Sequence, residues 1–400
     1  MSHQLILVRE FEVVIFQTLF SFYAIRKGEW NLQNKAQSRR QTEGNYNLLR
    51  VICAVAVVVL HASARYVTDY EDISTPHRGQ IFYTLLYNQM TRFAVPCFFM
   101  LSGAFTIGNE KNQNYRYFYR KSFIKIGIPT IIFSLIYFLY SEASAYLKFS
   151  EEGASVFIRP LKEFLAGEPY YHMWYLYTLI GIYILIPVIV KIRLDIGEEY
   201  FSRLCWIYFI ISLISGLTSS NMLNWSVSKV ALYIGYVMAG YPIRKKYKEN
   251  KNNLKGIFMI VLSIVLLLIH TYILYIKTVS GIDEIPEILA MGDHFNVLIA
   301  PASLLMFAGF TCLSVKPDFL KGISGHTFMI YLIHAGVMSV LCNTVIKTTD
   351  EISKPIYTVP LISVITFAVS WVMAIIYDIL WKKLDSNGRI SDKFCKLLRL

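Results

Sequence analysis

The chain has 400 residues, 55% of them hydrophobic and only 16% charged, with a formal net charge of +12. Soluble domains carry about 25% charged residues, so this composition, with a mean hydropathy of +0.45, excludes a disordered chain and a string of soluble domains joined by polar linkers. A multispan α-helical membrane protein fits, and the positions of the basic residues decide whether the +12 marks a nucleic-acid surface or cytoplasmic loops.

Residues 1–45 hold an apolar stretch, Val13 to Ala24, whose start is interrupted by Arg9, Glu10 and Glu12. It is short for a span and has no cleavage-site pattern of a signal peptide. It reads as an interfacial or poorly ordered extension. A membrane domain follows over 46–382, and a basic cytoplasmic tail over 383–400. Crossing a bilayer takes roughly 20 apolar residues. Ten such runs are predicted, near 47–67, 81–107, 123–142, 171–191, 201–218, 225–243, 256–277, 292–315, 322–346 and 356–381. The expected fold is all-α, a polytopic membrane helix bundle of about ten transmembrane helices. With the N-terminus inside, 29 of the 39 Lys and Arg fall in cytoplasmic segments or at the cytoplasmic ends of spans, Arg50 among them, 8 in external loops or outer span ends, and Arg92 and Lys229 deeper within spans. This positive-inside bias puts both termini in the cytoplasm. It spreads the basic residues over many loops, so no nucleic-acid partner is expected. The six cysteines form no CxxC pair, and no metal-ligand spacing is present.

Ionisable groups inside hydrocarbon cost several kcal/mol unless paired, which makes them functional candidates. In the first span, Arg50 and His61 lie eleven positions apart. That is about 20° past three full helical turns and about 16 Å along the axis. Both side chains therefore project from one face. The spacing suits a long anionic ligand bound at the arginine with its reactive end near the histidine. Arg92 falls near mid-depth in the second span, followed by Pro96, which should kink the helix, and by Ser102-Gly103, which permit close approach of a helix or ligand. Arg120, Lys121 and Lys125 open the third span, as ordinary inner-face charge or as a phosphate clamp beneath Arg50. By count His334 lies near mid-depth in the ninth span, and His172 at the outer end of the fourth. The aromatic cluster Tyr170, Tyr171, Trp174 and Tyr175 reads as an interfacial belt or as a sugar-stacking platform.

Four segments together resemble the acyltransferase-3 family of integral membrane acyltransferases, which includes O-acetyltransferases of bacterial surface polysaccharides. Arg50 and His61 match the family's R-x10-H, and Phe98 to Phe105 (FFMLSGAF) matches its FFxLSGF. His172 to Leu176 (HMWYL) matches H-x-W-[YF]-L, and Ser324 to His334 (SGHTFMIYLIH) matches the late serine, Tyr-Leu-x-His pattern. The chain departs from many members at the Arg-x-x-Arg before the proline of the third span, where Ser122 and Lys125 stand. The resemblance implies transfer of an acyl group, acetyl by family default with succinyl as another option. The donor is a cytoplasmic acyl-CoA (acetyl-CoA), used as a co-substrate with no permanently bound cofactor. The acceptor is a hydroxyl of a cell-surface polysaccharide or its lipid-linked precursor, in a bacterial plasma (inner) membrane. In that reading His61 is the general base, or carries the acyl group as an intermediate, and Arg92 stabilises the oxyanion. Arg50, Arg120, Lys121, Lys125 and Ser102 bind the donor, and His172, Trp174 and His334 the acceptor. The competing reading is a transporter or flippase of lipid-linked sugars, although no internal repeat supports it. The oligomeric state stays open.

Overall fold

The structure is a computed structural model that describes residues 44–69, 78–149, 162, 164, 168–218, 226–248, 250–280, 294–315, 320–344 and 354–385. The expected extension before residue 44, most of the long external loop and the tail beyond residue 385 lie outside the described residues. Everything regular among the described residues is helical. The order is α1 (Gly44–Asp69), α2 (Arg78–Met90), α3 (Ala94–Thr106), a short 3₁₀ turn (Glu110–Gln113), α4 (Tyr115–Ser122), a π turn (Phe123–Gly127) and α5 (Ile128–Phe149). Then come α6 (Trp174–Ile196), α7 (Glu198–Thr218), α8 (Ser226–Lys248), α9 (Asn253–Val279), α10 (Ile299–Cys312), α11 (Leu320–Thr344) and α12 (Pro355–Leu384).

Seven helical segments are long and apolar enough to cross a membrane: α1, the continuous α4–π–α5 run, α6, α7, α9, α11 and α12. The chain is an all-α polytopic membrane helix bundle. The other three expected spans differ in instructive ways. The second is two half-helices, α2 and α3, separated by a turn at residues 91–93. Pro96 has no N–H to return to the carbonyl of Arg92, so the ladder fails there. The break leaves Arg92 at the mouth of α3. The sixth, α8, has 23 residues but carries Lys229 and several glycines and tyrosines. Its surroundings explain this: Leu232, Tyr233, Tyr236, Val237 and Ala239 are buried, so protein covers most of its surface. The eighth is reduced to the 14 residues of α10.

Small residues set the tightest crossing. A Cβ on Gly103 of α3 would run into the backbone carbonyl of Val237 on α8, and one on Gly240 of α8 into the carbonyl of Met100. The two helices touch backbone to backbone, as small-residue stripes allow in membranes. We expect Gly103→Ala to cost about 1–3 kcal/mol or more through overpacking. The check is the Tm of the detergent-solubilised protein, which should fall; an unchanged Tm would contradict the tight crossing. A single residue, Gly197, joins α6 to α7 with φ of 80°, a conformation glycine adopts without penalty.

Candidate active site

The expected single face of α1 serves two sites at two depths. At the upper level three imidazoles meet. The ring of His61 lies 5.3 Å, centroid to centroid, from that of His334 on α11, and His334 lies 5.1 Å from His172. Counting along the spans separates His172 from His334 in depth, whereas the structure brings them into contact. The turn before α6 dips into the bundle, and His172 and Met173 are fully buried. Tyr171 closes the cluster, 4.9 Å from His61.

The protonation of His334 follows from its partner. Its Nδ1 is 2.6 Å from the carbonyl oxygen of Tyr331, and a carbonyl only accepts, so Nδ1 carries the proton and Nε2 keeps its lone pair. That Nε2 is buried with no hydrogen-bond partner, and neither ring nitrogen of the buried His172 has a partner of normal geometry. Buried polar atoms left unsatisfied in this way are uncommon and point to function. His61 itself is half-buried and makes no hydrogen bond among the described residues.

Arg92 is aimed at this level from the break between α2 and α3. Its Nε and Nη2 both donate to Oδ1 of Asn88, at 3.1 and 2.8 Å. Asn88 in turn donates to Oγ of Ser63 at 3.3 Å, two residues beyond His61 on α1. Asn88 is absent from the sequence-predicted set. Its signal was the four-residue spacing to Arg92, which stacks two side chains on one helix face.

At the lower level a cavity of about 630 Å³ opens, with Arg50, Ser102, Phe105, Lys125 and Tyr183 among its lining residues. Arg50 donates to Oδ1 of Asn47 at 3.1 Å, and Ser324 donates to the same atom at 2.9 Å. The guanidinium lies 4.8 Å from the centre of the Phe105 ring. That of Arg244 lies 4.5 Å from the same ring. Arg244 carried no local signal in the sequence beyond its place in a basic run; the α3–α8 crossing brings it here. Ser102 donates to the hydroxyl of Tyr183 at 3.1 Å. Lys125 reaches the cavity from the π turn, a widened helical turn of the kind frequent at functional sites. Arg120 and Lys121 precede that turn and do not line the cavity; the Lys121 ammonium lies over the Tyr117 ring at 5.6 Å.

Tyr331 connects the two levels. It lines the cavity together with Tyr175, and the two rings are 5.2 Å apart. The Tyr331 ring is also 5.5 Å from both His172 and His334, and its hydroxyl donates to the backbone carbonyl of His172. Trp174, grouped with His172 in the sequence, points elsewhere. It packs 5.3 Å from Tyr233 and 6.4 Å from His294, with the ammonium of Lys229 over its ring at 5.4 Å. Lys229, the second cation within a predicted span, is ion-paired with Glu168. No group of three or more potential metal-ligating side chains occurs among the described residues.

Comparison with known proteins identifies the family. Residues 43–375 match the model of the Acyl_transf_3 family, described as an acyltransferase domain. No curated protein matches the chain, and no solved structure does. The matched region begins one residue before α1 and ends inside α12, so it takes in Arg50, His61, Arg92, Lys125, His172, Tyr331 and His334. The chain belongs to the acyltransferase-3 family and is a multi-pass membrane enzyme that transfers acyl groups.

Proposed function

We propose that the protein is an O-acyltransferase that takes an acyl group, acetyl in the simplest case, from acyl-CoA at the inner face. It delivers the group to a hydroxyl of a surface polysaccharide or its lipid-linked precursor in a bacterial plasma membrane. The observation that carries this reading is the two-level arrangement: a basic cavity at Arg50 and Lys125, a cluster of unsatisfied imidazoles above it, and Tyr331 touching both. A coenzyme A donor has anionic phosphates at one end and its reactive thioester at the end of a long arm. The phosphates suit guanidinium and ammonium groups. The arm suits the roughly 16 Å between Arg50 and His61 along α1.

In this mechanism His61 accepts the proton of the acceptor hydroxyl as that oxygen attacks the thioester carbonyl. The carbonyl oxygen gains negative charge opposite the Arg92 guanidinium. The C–S bond then breaks, the acyl ester is formed, and the proton leaves from His61 to the departing thiolate. His172 and His334 orient the acceptor hydroxyl through their available nitrogens. The positive-inside bias supports an orientation with the Arg50 cavity on the side where acyl-CoA is found.

The donor half is tested by Arg50→Gln. Loss of a charge-assisted contact costs about 1.5–3 kcal/mol, roughly ten- to hundredfold in donor KM with a smaller change in kcat. Initial rates at varied acetyl-CoA, read as free thiol released, check it. A donor KM equal to that of the wild type would remove Arg50 from the donor site.

A further inference from the structure

A second cavity of about 810 Å³ lies among the acidic start of α7, the basic end of α8, the start of α9 and part of α10. It shares no lining residue with the cavity at Arg50, and the acyl-transfer mechanism makes no use of it. Its walls are of two kinds. One carries Glu198, Glu199, Lys245 and Lys246, and the other Trp206, Met259, Leu304, Leu305 and Ala308.

The charged wall looks neutral by count, but its pairing makes it positive. Glu198 accepts from Arg193, from the Tyr241 hydroxyl and from Lys245, the last at 2.9 Å. Glu199 pairs with Arg203 at 2.6 Å. Arg193 and Arg203 do not line the cavity, and they offset the two carboxylates from behind. Four cations thus face two carboxylates, and the group is positive even though Lys245 is itself bonded to Glu198. Lys246 has no carboxylate partner among the described residues, and its ammonium rests 5.4 Å from the Tyr247 ring.

We propose that this cavity binds one anionic phospholipid, its phosphate between Lys245 and Lys246 and the start of its acyl chains along Met259, Leu304, Leu305 and Ala308. Two features favour a lipid over a soluble anion. The same cavity is lined by both kinds of side chain, so an amphipathic ligand fills it better than a small anion. The neighbouring surfaces of α7 and α9 also expose Ile207, Ile210, Val261 and Val265, the side chains that meet hydrocarbon in a membrane. Basic pockets between helices at the inner face bind acidic head groups, at about 1 kcal/mol per lysine.

The test uses the full-length protein in detergent, offered phosphatidylglycerol and phosphatidylcholine of identical acyl chains in equal amounts. Native mass spectrometry then reads the lipid retained. The wild type should hold one phosphatidylglycerol in at least about tenfold preference, the size expected from two lysines. The double substitution Lys245→Gln, Lys246→Gln should bring the preference close to parity. Leu305→Trp, which occupies the apolar half and leaves the lysines in place, should lower retention of either lipid. It keeps the proposal testable if the double variant does not fold. Equal retention of both lipids by the wild type would overturn it. So would undiminished preference in the double variant, undiminished retention of both lipids by Leu305→Trp, or displacement of the lipid by an equal concentration of inorganic phosphate.

Discussion

His61→Ala should lower acyl transfer by about 10²–10⁴-fold, the range for loss of a positioned general base. Donor KM should change by less than about threefold, because the donor phosphates are held far from this ring. The expectation rests on location. His61 is half-buried and without a hydrogen bond among the described residues, 5.3 Å from the His334 ring. It is thus the least buried imidazole of the three, His172 and His334 lying deeper in the cluster that would receive the hydroxyl. Turnover per molecule of enzyme in membranes, with expression quantified, reads the result. Near wild-type turnover would leave the base elsewhere, and His334→Ala would then be the variant to lose activity.

The second large effect is at Arg92. Arg92→Gln should cost about 10²–10³-fold in kcat, the usual consequence of removing one donor from an oxyanion site. Lysine should not restore it. The guanidinium turns two of its N–H groups onto Oδ1 of Asn88, which fixes the plane of its fork. An ammonium has no such fork. A guanidinium held in this way is also why Asn88→Ala should reproduce part of the defect without removing the charge. Single-turnover measurements separate the effect from binding: the acyl-transfer step should slow with donor affinity retained. A Lys variant with wild-type kcat would reduce Arg92 to a structural cation.

How much of this was legible in the sequence depends on whether the signal was local. The helical period carried Arg50 and His61 onto one face of α1, and the structure shows Arg50 in the basic cavity and His61 in the histidine cluster. The missing N–H of Pro96 foretold a distortion; a kink was expected, and a turn at residues 91–93 that splits the span into two helices is found. The run of three cations at Arg120, Lys121 and Lys125 could not be sorted by spacing alone. A π turn shifts the register between the second and third of them, and only Lys125 reaches the cavity. His172 and Trp174 are two residues apart and looked like one platform. The start of α6 between them sends one ring into the histidine cluster and the other toward Tyr233 and His294. What the sequence could not reveal were contacts made by helices far apart in the chain. Arg244 comes to Phe105 because Gly103 and Gly240 let two backbones touch. Tyr331 joins two levels because α11 packs between α1 and the turn before α6.

The central claim is that an acyl group enters from the basic inner cavity and leaves as an ester at the histidine level. Sealed membrane vesicles of the two orientations, given acetyl-CoA labelled in the acetyl group, test it most directly. Inside-out vesicles, which present Arg50 and Lys125 to the medium, should incorporate label into a product that mild alkali releases as acetate. Right-side-out vesicles should incorporate none until they are permeabilised. Equal incorporation by intact vesicles of both orientations, or label that alkali does not release, would contradict the account.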